Sequence, residues 1–116
     1  AKMLFVRSLS YDARNRIANH RLGLIKMSEM DFSSATNYLT EAYRLETSNR
    51  GITKNLGDSY AWLGNMDKAR LYLGNIPEAK SEMDVYVWWW DTHGRHDLST
   101  NASQLVAAMK RTNNEP

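Results

Sequence analysis

Cysteine is absent from this chain of 116 residues, and proline occurs only twice and glycine six times. Without cysteine there is no disulfide framework and no thiolate metal site, although the compartment is left open. So little proline and glycine excludes collagen-like and low-complexity chains, and 42% hydrophobic residues exclude a wholly disordered one. No apolar run approaches the ~20 residues that span a bilayer, so the segment itself is expected to be soluble. The opening Ala1–Arg7 stretch is too short for a secretory signal. A net charge of only +2 gives no general pull toward nucleic acid. Its distribution is less even, with Lys2, Arg7, Arg14, Arg16, Arg21 and Lys26 near the start, and Glu78, Glu82, Asp84, Asp91 and Asp97 toward the end.

What the chain does contain is a repeat. An offset of 34 residues places Arg16 on Arg50, Leu22-Gly23 on Leu56-Gly57, Ala35 on Ala69, and Tyr38-Leu39 on Tyr72-Leu73. A helical glycine costs ~1 kcal/mol against alanine, so Gly23 and Gly57 predict close approach of a neighbouring helix, with Ala35 and Ala69 as matching small residues. Apolar residues at three- and four-residue steps predict helices over 1–11, 16–29, 33–46, 50–63, 67–75, 78–93 and 98–111. Strand patterns are nearly missing, and the predicted class is all-α.

The Leu-Gly pair, the alanine spacing and the period resemble the tetratricopeptide repeat, a helix–turn–helix unit of 34 residues. Thr53-x2-Leu56-Gly57-x2-Tyr60 followed by Ala69-x3-Leu73 carries most of the likeness, and Asn19-x2-Leu22-Gly23-x2-Lys26 with Ala35-x3-Leu39 the rest. The family's leading tryptophan and closing proline are missing from both units. The resemblance implies one domain over 1–116, a right-handed superhelical stack of antiparallel helix pairs. Its parts are the second helix of a truncated repeat (1–15), a full repeat (16–49), a repeat with a shortened second helix (50–79), a degenerate terminal repeat (80–111) and a frayed tail (112–116). A start within the array is what a fragment of a longer protein would have. A fainter resemblance, in Ala18–Ile25, Tyr60–Gly64, Ile76–Ala79 and Trp88–Trp90, is to repeat tails of bacterial membrane proteins of cell-surface polysaccharide assembly. It implies tethering to a membrane through a part of the chain outside this sequence.

The family binds partners along the concave groove of its first helices. With Leu22, Gly57 and Tyr60 inside, that groove receives His20, Leu24 and Met27, then Lys54, Asp58 and Trp62, then Asp84, Trp88 and Asp91, with Ile17, Asn55, Ala61 and Ser81 beside them. This implies a protein or peptide partner, with charged members setting orientation and the two tryptophans supplying area. One subgroup of the family clamps a terminal carboxylate, but only Asn55 fits that scheme. Among Trp88-Trp89-Trp90, Trp90 is expected in the core, Trp88 toward the groove and Trp89 on the remaining side. A plug for the shortened repeat and a platform for a peptide or sugar are both open.

No catalytic residue, cofactor or metal is expected. Serine elbows and phosphate loops are absent, and the two histidines of Asp91-x-His93-x-x-His96 straddle a turn at Gly94. The early arginines lack stacking aromatics, which speaks against nucleic acid. The alternative to recognition is a structural role, in which chains stack end to end into homo-oligomers.

Overall fold

A computed structural model describes residues 16–114. The helix expected over 1–11 lies outside those residues, as does the end of the expected tail. The described residues form α-helices joined by turns, without strands: α1 (Arg16–Ser28), α2 (Phe32–Leu45), α3 (Arg50–Trp62), α4 (Met66–Leu73), α5 (Ala79–Thr92) and α6 (His96–Asn114). The all-α expectation holds, with the starts at 16 and 50 as expected and the other helix ends moved by one to three residues. Helix α6 runs through 112–114, which were expected to fray; no glycine or proline interrupts the sequence before Pro116. Pro77 falls in the turn ahead of α5.

The turns explain why the helices pair. Met30, Gly64 and Gly94 have φ of 64°, 83° and 77°. Each is followed by a backbone N–H that closes onto the carbonyl five residues earlier: Asp31 to Lys26 (2.9 Å), Asn65 to Tyr60 (2.9 Å) and Arg95 to Trp90 (2.8 Å). Asp31 and Asn65 then cap the next helix, accepting from the backbone N–H of Ser34 (3.2 Å) and Lys68 (3.1 Å). Asn49 caps α3 in the same way.

Helix α1 packs chiefly on α2, α3 on α4 and α5 on α6, while α2 also packs on α3 and α6 reaches back to α3 and α4. The two glycines have the close neighbours predicted for them: leucines lie nearest, with the Ala35 carbonyl also 3.5 Å from a Cβ placed on Gly23, while only Leu73 crowds Gly57. A Cβ on Gly23 would lie 2.6 Å from Leu39 Cγ, and one on Gly57 2.5 Å from Leu73 Cγ. In the last pair Val87 replaces the glycine and Ser103 the leucine, and Ser99 donates to the Val87 carbonyl (2.6 Å). Helices α2 and α3 are joined by a buried polar pair. Thr36 Oγ1 donates to the Phe32 carbonyl (2.7 Å) and lies 2.6 Å from Ser59 Oγ. Trp62, Leu73, Met83, Leu98 and Leu105 centre the larger core, and Ala35, Leu39 and Leu56 the smaller.

Candidate functional site

Residues of helices α3 and α5 line a shared cavity of ≈ 500 Å³. Lys54 and Asp58, one turn apart, line it from α3 together with Asn55. Glu82, Val85, Tyr86 and Trp89 line it from α5, at steps of three and four residues. The walls are tied by ion pairs: Lys54 Nζ lies 3.0 Å from Glu82 and 3.5 Å from Glu78, and Arg50 pairs with Glu78. The Arg50 hydrogen bond holds the Glu78 carboxyl down at about 2.

Asp58 sits differently. It makes no ion pair or hydrogen bond among the described residues, because Lys54 is turned toward α5. Burial pushes its carboxyl up to about 7, helped by the Glu82 charge and opposed by Lys54. Burial also raises Tyr86, with the charges of Asp58 and Glu82 adding to it. Tyr86 meets Trp62 edge-on at 5.0 Å between ring centroids, which fixes that wall against the core. Val85 is 60% exposed and Trp89 44%, so the opposite lip is apolar and open to solvent.

Of the residues expected in the groove, Lys54 and Asp58 meet there. His20 lies two helices earlier, on α1, where Asn55 Nδ2 donates to its Nε2 (3.0 Å); burial, then the Arg16 charge, lowers its pKa. Leu24 is exposed on α1, and Met27 is half-buried against both cores. Trp62 is a correction. It is 6% exposed and packs edge-on against Tyr86 and Trp90, so its area is spent inside the protein. Ala61 is buried as well.

Asp84, Trp88 and Asp91 do not join Lys54 and Asp58, which corrects their placement in one furrow. Asp84 lines a separate cavity with Val87, Ser103, Val106, Ala107 and Lys110 at the α5–α6 end, Trp88 is 64% exposed, and Asp91 binds His96 Nδ1 (2.6 Å). Asp84 and Trp88, 30 residues on from Lys54 and Asp58, do not line this cavity, so the wall opposite Lys54 and Asp58 is another side of α5. That wall carries Glu82, Val85, Tyr86 and Trp89, which sequence reasoning left out. Asn55 also reaches the other way, to His20 on α1. Trp90 packs against the core as expected.

His93 Nδ1 donates to the Trp89 carbonyl (2.7 Å), and its ring stacks on Trp89. Among the described residues no three His, Asp or Glu side chains converge as metal ligands, and no helix is long and apolar enough to cross a membrane. No protein-family model matches the sequence, and no curated protein is similar to it.

Proposed function

We propose that the chain is a non-catalytic interaction module of the tetratricopeptide type, a right-handed stack of helix pairs that holds a peptide or protein segment in the groove between α3 and α5. The observation that carries this reading is the cavity itself, which combines an apolar lip, Val85 and Trp89, with a carboxylate that has no partner among the described residues. Recurrence of the turn and of the glycine–leucine seat supports the repeat type. A groove whose walls are already tied by Lys54, Arg50, Glu78 and Glu82 loses little freedom on binding.

The test is a photo-reactive residue placed at Val85, compared with one at Gln104, an exposed site on α6. In lysate of the source cells, a discrete adduct from position 85 and none from position 104 supports the groove. Adducts of equal yield from both positions, or none from position 85, contradict it.

A second reading rests on the exposed Trp88 beside the α5–α6 cavity, which offers an end for stacking chains. Light scattering decides it. The groove reading expects the 13.4 kDa monomer in low and high salt, whereas stacking driven by charge gives larger particles that dissociate in salt.

A further inference from the structure

The groove has a chemistry narrower than that of a generic segment-binding site, provided that it is the recognition surface proposed above. Its lining sets two carboxylates, Asp58 and Glu82, against one ammonium, Lys54, and that ammonium is already held by Glu82 and Glu78. Asp58 therefore keeps an unmatched acceptor in a cavity large enough for a side chain. Beside it stand Tyr86 and Trp89. Trp89 has His93 stacked against its ring at 3.9 Å between centroids and still lines the cavity. Carboxylates next to indole and phenol rings suit a cation that is both paired and stacked, and a planar guanidinium does both better than an ammonium.

We propose that this notch seats a single arginine side chain of a partner peptide, its guanidinium hydrogen-bonded to Asp58 and Glu82 and laid against the Trp89 ring. The polarity of the groove follows from it. The arginine enters near the middle of α5, and the partner's apolar neighbours lie along Val85. An acidic partner is disfavoured, because a carboxylate in the notch would face Asp58 and Glu82 beside a Lys54 already paired with Glu82 and Glu78. The burial that raises the Asp58 carboxyl to about 7 agrees with this, since an entering cation supplies the opposite charge that favours its ionised form.

The probe is an array of short peptides of random sequence, each made in matched versions with arginine, citrulline or glutamate at its centre, and overlaid with labelled protein. Citrulline keeps the shape of arginine without its charge. The arginine version is expected to retain at least ~10-fold more protein than its citrulline partner. Asp58→Asn should abolish that preference, while Asp84→Asn, on the other cavity, should keep it. Equal binding of the arginine and citrulline versions, preference for glutamate, or preference that survives Asp58→Asn overturns the arginine notch while leaving the groove standing. No binding by any peptide also overturns it. The groove reading fails separately, through the cross-links at positions 85 and 104. Retained helicity of both variants by circular dichroism makes each loss interpretable.

Discussion

Asp58 holds its proton in the folded protein up to about 7, against 3.8 for an ordinary aspartate. Between those values the native state binds a proton that the unfolded chain releases. Linkage then makes this group's contribution fall as pH rises, by up to ~1.4 kcal/mol per pH unit, and vanish above the native value. The carboxamide of an Asp58→Asn variant does not titrate. Urea denaturation should therefore show Asp58→Asn more stable than wild type near neutral pH, with the two converging toward about pH 4. A difference that does not change with pH would mean that Asp58 is better solvated than its surroundings indicate. Met30 gives a second expectation at this scale. It alone among the non-glycine described residues has positive φ, at 64°, where the equivalent turns use Gly64 and Gly94. Met30→Gly should stabilise the fold by ~1 kcal/mol, read as a raised urea midpoint, and Gly64→Ala should do the reverse. Part of this was legible, since Gly64 and Gly94 mark turns. Met30 carries no such mark, and it takes the backbone to show that the same turn recurs there.

Between elements, the seats of Leu39 and Leu73 over Gly23 and Gly57 bind each helix to its partner. Alanine at position 57 gains helix propensity yet places a Cβ 2.5 Å from the Cγ of a fully buried leucine. Gly57→Ala is expected to destabilise by ~1–3 kcal/mol, measured by denaturation. An increase in stability would mean that Leu73 can yield. The spacing of these glycines announced a close contact but not its nearest partner, since the Ala35 carbonyl comes to 3.5 Å from a Cβ on Gly23 only behind Leu39. Ala35 and Ala69 were visible in the repeat, while the leucine four residues further along each helix fills the notch. The shortened α4 had a different consequence. Its reduced length was readable from the spacing of Gly64 and Gly94, but not that Glu82, Val85, Tyr86 and Trp89 would then face Lys54 and Asp58. Carrying groove positions unchanged from α3 to α5 selected Asp84, Trp88 and Asp91, none of which lines the cavity shared with α3. Trp62 misled for another reason. Its place on α3 satisfies both the groove and the core, and the aromatic contacts with Tyr86 and Trp90 decide for the core.

The helices as a whole form a flattened slab of 46 × 35 × 18 Å, in keeping with two helices through its thickness. Two tryptophans adjacent in sequence are left out in different places. Trp89 lines the α3–α5 groove, and Trp88 is exposed on the face that carries Asp84 and Asp91. That divergence makes the claim of a recognition groove testable by one comparison. Trp89→Ala and Trp88→Ala proteins, both of verified helicity, are used to retain the partner identified by cross-linking at position 85. The account predicts that Trp89→Ala weakens retention by at least ~10-fold while Trp88→Ala binds as wild type. Loss through Trp88 with Trp89 dispensable would contradict it, and would move recognition to the α5–α6 end of the stack.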